Sequence, residues 1–209
     1  MNHSSETDWS CPRLKTIKRD LRTAVRANSG KAARDVCTTM QLSHLRLAVF
    51  PEKHIRMLCS LIGSPAFAKS PEAAGAILVY LMTESHKLSS RQKHRLLREF
   101  EYIYPKVTSR AWLICFNISE LVGGNFRDEA ALEMFLRLMD VPRPRTRAFV
   151  AHGLEHIACD SYKPNLASAA LQALKGLASD PHEAVRVQVE ESLSIVGQHG
   201  ATTKMGVPE

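Results

Sequence analysis

Residues 179–197 read SDPHEAVRVQVEESLSIVG. Asp180-Pro181 interrupts any helix before it, because proline fixes φ and has no N–H, while aspartate offers a side-chain acceptor at a helix start. Beyond this break Val189, Leu193 and Val196 fall at positions 0, +4 and +7, one face of a helix that Gly197 reads as stopping. The same apolar triplet recurs upstream as Val150/Leu154/Ile157 and Ile114/Ile118/Leu121, at successive offsets of 39 and 36 residues. Ile77 and Leu81 precede Ile114 and Ile118 by 37 residues.

Between these helices lie others of the same length, each bounded by a helix-breaking or capping residue. Pro71, Ser89, Ser109 and Asp128 open helical patterns, and Gly123-Gly124 and Pro142 read as closing them. Two helices per period, each too short to stand alone, must bury their stripes on neighbouring units. The expectation is all-α: a right-handed stack of antiparallel helix pairs, an α-α superhelix with a repeat of about 37 residues.

The 179–197 stretch resembles a HEAT repeat helix, of the armadillo type: Asp-Pro at the turn, Val185-Arg186 in the first turn, a stripe of Ala, Leu and Val, and a closing Gly. The resemblance is clearest over these 19 residues and weak elsewhere. It implies a curved helical stack that holds a partner on an extended surface; it implies no reaction. The expected organisation is a disordered start (1–11), a single HEAT-like domain (12–197) and a disordered tail (198–209). Within the domain, 12–66 form a basic N-terminal cap and 70–197 the repeats.

Composition agrees with a globular helical protein. Of the 209 residues 44% are hydrophobic and only 6% aromatic, which favours helix packed on helix over sheet. The longest apolar run, residues 73–82, is about half of the ~20 residues a membrane span needs, and residues 1–10 carry no basic segment followed by an apolar one, so neither a membrane nor a secretory signal is expected. The five cysteines (Cys11, Cys37, Cys59, Cys115, Cys159) are odd in number and scattered, which reads as reduced thiols in a cytoplasmic protein.

Charge is uneven. Residues 13–34 hold Arg13, Lys15, Lys18, Arg19, Arg22, Arg26, Lys31 and Arg34 against Asp20 alone, a net +7 that equals the charge of the whole chain. A second cluster, Arg143, Arg145 and Arg147, sits on the proline-stiffened turn PRPRTR, and a third, Arg91, Arg95 and Arg98, on one helix. Such clusters suit a polyanion, an acidic protein partner, or simply a solvated face.

Residues 152–156 read HGLEH, the H-x-x-E-H pattern of inverted zinc peptidases, with His152, Glu155, His156 and Cys159 along one stripe. Those enzymes take a third ligand from far downstream, whereas here the helix superimposes on its neighbours and only Glu190 and Glu191 of the HEAT-like helix follow as candidates. The pattern therefore reads as polar helix positions forming a recognition stripe (His152, Glu155, His156), with no catalytic residue, metal or cofactor assigned. No phosphate-binding glycine loop or nucleophile elbow is present. The expected function is a non-catalytic adaptor binding a protein partner. The alternative is a basic nucleic-acid binder, since HEAT-like stacks include DNA glycosylases for alkylated bases; Trp112 and Phe116 offer aromatics for one, but no aspartate shares their helix.

Overall fold

Capping residues set where the helices begin. Ser29 accepts from the Ala32 N–H, Asp128 from Ala131, and Ser89 forms a reciprocal box with Gln92. Pro71 and Pro164 stand in first turns, where the missing N–H costs no hydrogen bond. The computed structural model describes residues 14–160 and 162–204, which form ten α-helices and no strand. The helices are α1 (Leu14–Arg26), α2 (Gly30–His44), α3 (Glu52–Ile62), α4 (Pro71–Thr83), α5 (Ser90–Ile103), α6 (Leu113–Ser119), α7 (Glu129–Leu138), α8 (Pro144–Asp160), α9 (Pro164–Gly176) and α10 (Glu183–Lys204). No described helix is long and apolar enough to cross a membrane.

The helices pack in two rows. In one, α2, α4, α6, α8 and α10 each lie against the next; in the other, α1, α3, α5, α7 and α9 do the same, with α1–α2, α7–α8 and α8–α9 contacts joining the rows. The periodic stripe is the core of the first row. Ile77, Leu81, Ile114, Ile118, Leu121, Val150, Leu154 and Ile157 are fully buried, each such side chain contributing roughly 1.5–3 kcal/mol. Val189 is buried as well, but Leu193 and Val196 are only partly covered, because α10 is the last described helix of its row.

Side-chain ties connect successive helices within a row. Arg137 holds Glu101 through two bonds of 2.8 and 3.1 Å, Lys163 meets Glu129 at 2.7 Å, and Arg95 meets Glu52 at 2.6 Å. The most protected is Arg147, whose guanidinium grips both oxygens of Asp180 at 2.7 and 2.9 Å and also donates to the Val141 carbonyl.

Two helix ends differ from their sequence expectation. α10 continues through Gly197 to Lys204; a Cβ at Gly197 would meet nothing within 4 Å, so the residue is simply an exposed helical glycine. Residues 198–204 are thus helical rather than part of a disordered tail, while 1–11 and 205–209 lie outside the described residues. Gly123-Gly124 is no stop either: α6 runs on as a π-helical segment, Glu120–Phe126, that ends only at Arg127, whose φ of 48° is left-handed.

Candidate functional site

The π-helical segment lies against α8 through two glycines. A Cβ on Gly123 would stand 2.5 Å from the Gly153 carbonyl oxygen and 3.0 Å from its Cα; one on Gly153 would stand 2.2 Å from the Phe135 ring. Only bare backbone fits at Gly123 against α8, and at Gly153 against the Phe135 ring. Just before it, buried Ser119 donates to the Phe149 carbonyl at 2.7 Å and pairs with the Tyr104 hydroxyl at 3.0 Å. These contacts fix the end of α6 and the middle of α8, which carry Phe116, Phe149 and His152 of the face described next.

That face carries a continuous aromatic strip. Trp112, 38% exposed, stacks on Phe149 with ring centroids 5.7 Å apart and planes at 10°. The Arg145 guanidinium sits 5.1 Å above the Trp112 ring, a cation–π arrangement. Phe116 meets both aromatic neighbours edge-on and stacks on His152 at 5.2 Å. Beside the strip, a groove of about 550 Å³ between α8 and α10 is lined by Arg145, Ala148, Phe149, His182 and Gln188.

At the far end of the strip three ligating groups converge. Glu120, the first residue of the π-helical segment, places Oε1 2.6 Å from His152 Nε2 and 3.1 Å from His156 Nε2. The three donor atoms lie within 4.8 Å of one another, the one grouping of this kind among the described residues. Behind them Glu155 Oε2 accepts from Ser192 of α10 at 2.7 Å and lies 3.6 Å from His152 Nδ1. Burial works against charge on all three of the following groups, yet their hydrogen bonds and mutual attraction prevail. Glu120, bonded by His152 and His156, and Glu155, drawn by His152 and bonded by Ser192, are held below the usual carboxylate range; His152, close to Glu155 and bonded to Glu120, is held above the usual histidine value.

The sequence-derived candidates are distributed as follows. His152 and His156 come together, but Glu155 is turned inward and buried against α10, and Glu120 takes its place on the open side. Arg145 joins the aromatic strip, and Arg143, although exposed, donates to the Val107 carbonyl. Arg147 is withdrawn into its pair with Asp180 and is not a surface cation. Lys15, Arg19, Arg22 and Arg26 are exposed on α1 and Lys18 half-buried, while Arg13 lies outside the described residues. With Arg91, Arg95 and Arg98 on α5, these belong to the row opposite Arg145, so the three basic clusters do not gather on one row.

Glu120 and Phe149 were missed by motif reading, yet a signal existed. At the 36-residue offset that superimposes Ile114 on Val150, Glu120 falls on His156, so the two occupy equivalent positions on adjacent helices. The buried thiols Cys37, Cys59 and Cys115 take no part in this face, and burial pushes each up to about 12. The chain matches no protein-family model, no curated protein and no solved structure.

Proposed function

We infer that this chain is a HEAT-like helical-repeat adaptor that holds a protein partner against the face formed by α6, α8 and α10. The observation that carries this reading is the strip of Trp112, Phe149 and Phe116 with Arg145 above it, opening onto the groove beside α10. Exposed Trp with an adjacent Arg is the composition of binding hot spots. The partner segment that suits it presents an apolar side chain to Phe149 and an acid to Arg145, in keeping with the +7 charge of the chain. The repeat architecture is supported by the two helix rows and by three of the four ties, which span 33 to 36 residues, Arg95–Glu52 spanning 43.

A photo-crosslinking residue at Gln188 tests the reading, with the same residue at Arg98 of α5 as control. Labelling of an endogenous protein from position 188 that is abolished by Trp112→Ala and Arg145→Glu supports it. Equal labelling from both positions, unaffected by those substitutions, removes it.

The exposed cations of α1 favour a second reading, a nucleic-acid binder. A glycosylase-like site draws less support, since the acid two turns beyond Trp112, Glu120, is engaged by two histidines. Titration of labelled duplex DNA and single-stranded RNA separates the readings: micromolar affinity that falls with salt and is lost in Arg19→Glu/Arg22→Glu/Arg26→Glu would favour nucleic acid.

A further inference from the structure

We propose that Glu120, His152 and His156 form a three-ligand site for a divalent transition-metal ion of the zinc class. The sequence offers only Glu190 and Glu191 of a distant helix as candidate third ligands; the π-helical segment supplies Glu120 from the neighbouring helix instead. Two imidazole nitrogens and one carboxylate oxygen are a recurrent zinc set, which leaves a fourth position for water or a partner's side chain. Oxygen-only ions such as Mg²⁺ and Ca²⁺ do not favour this donor set.

Geometry supports the assignment in three ways. The Glu120 oxygen faces both Nε2 atoms at 2.6 and 3.1 Å, so small side-chain adjustments admit an ion among them. Both histidines project from α8 one turn apart, and the stack of Phe116 on the His152 ring limits its rotation. Behind His152, Glu155 is anchored by Ser192 and stands 3.6 Å from Nδ1, where it can accept the Nδ1 proton once Nε2 binds metal. Such a carboxylate behind the ligand fixes the tautomer and strengthens the imidazole as a donor. Charge also balances, because the carboxylates of Glu120 and Glu155 together neutralise a dication held by two neutral imidazoles. Because a ligating imidazole must have a free nitrogen, binding weakens as pH falls. Cys159, next along the stripe, is not part of the cluster.

The site does not depend on the adaptor reading, and its test uses metal alone. The full chain, stripped with chelator, is titrated with Zn²⁺ by calorimetry and with Co²⁺ by visible absorption. Expected are one equivalent bound at the site, the visible bands of four-coordinate Co²⁺, and their loss in Glu120→Gln and His156→Ala. Glu155→Gln weakens binding by about 10- to 100-fold, and Cys159→Ser leaves it unchanged. Glu120→Gln preserves the size of the side chain, so its circular dichroism distinguishes a lost ligand from a lost fold. Absence of cobalt bands in the wild-type chain, or equal Zn²⁺ affinity in wild type, Glu120→Gln and His156→Ala, would overturn the proposal.

Discussion

Gly123 rests on Gly153 with no room for a side chain between them: a Cβ on the first would lie 2.5 Å from the carbonyl oxygen of the second. Because Phe135 closes the other side of Gly153, the obstruction there is a ring fixed in the core. Gly153→Ala is therefore expected to destabilise the fold by about 1–3 kcal/mol or more, the usual cost of overpacking. Gly123→Ala should do likewise against backbone that has little freedom to move. Urea unfolding of both variants checks this, and a midpoint equal to that of the wild-type chain would contradict the close approach.

Arg147 offers a test of structural against recognition roles. Its bidentate bond to Asp180 is almost fully shielded from solvent, and removal of one partner leaves a buried charge uncompensated. Arg147→Ala is expected to cost about 3–5 kcal/mol, measured by chemical denaturation, whereas Arg145→Ala should leave stability nearly unchanged. Comparable losses in the two variants would mean that Arg147 is not the structural member of the PRPRTR turn.

A buried histidine pair predicts acid sensitivity. His44 Nε2 lies 2.9 Å from His54 Nδ1, and the Tyr80 hydroxyl lies 3.2 Å from His44 Nδ1. Burial first, and the neighbouring His54 second, lower the His44 pKa from 6.5 to about 4. Between those values the unfolded chain binds a proton that the folded chain refuses, so stability is full above pH 6.5 and declines as pH falls toward 4. The loss from this residue is up to roughly 3 kcal/mol. Unfolding midpoints measured from pH 7.5 to 4.5 should fall through this window, and the slope should flatten in His44→Phe. An unchanged slope in that variant would assign the sensitivity elsewhere.

Ser119 and Tyr104 divide their contributions unequally. Ser119 donates to the Phe149 carbonyl and pairs with the Tyr104 hydroxyl, all in the interior. Ser119→Ala leaves the Tyr104 hydroxyl buried without this partner and should cost about 1–3 kcal/mol. Tyr104→Phe keeps the Ser119 bond to Phe149 and should cost less. A double-mutant cycle in which the two losses simply add would argue against coupling between the hydroxyls.

Much of the helical order was readable from spacing, because burial imposes a period on apolar residues that no other constraint erases. Ile114/Ile118/Leu121 and Val150/Leu154/Ile157 lie in the core for that reason. The site was only half readable. HGLEH places Glu155 beside the histidines in sequence, but α10 draws that carboxylate inward through Ser192. The acid that does face them comes from another helix. Gly123-Gly124 concealed it, since paired glycines ordinarily end a helix, and here Gly123 permits close packing instead. Arg147 reads as a surface cation for a related reason: its partner Asp180 is 33 residues away, beyond any local pattern.

A π-helical turn is an α-helix holding one residue more than the same rise requires. That spare residue within Glu120–Phe126 sets the phase between the carboxylate of Glu120 and the Gly123 contact that docks it on α8. Excising one residue between them would let the segment close as ordinary α-helix and change the angle between Glu120 and that anchor, turning the carboxylate away from both histidines. The meeting of these three side chains is thus written in the length of the chain as much as in its letters, and a single-codon deletion would undo it while leaving every one of them in place.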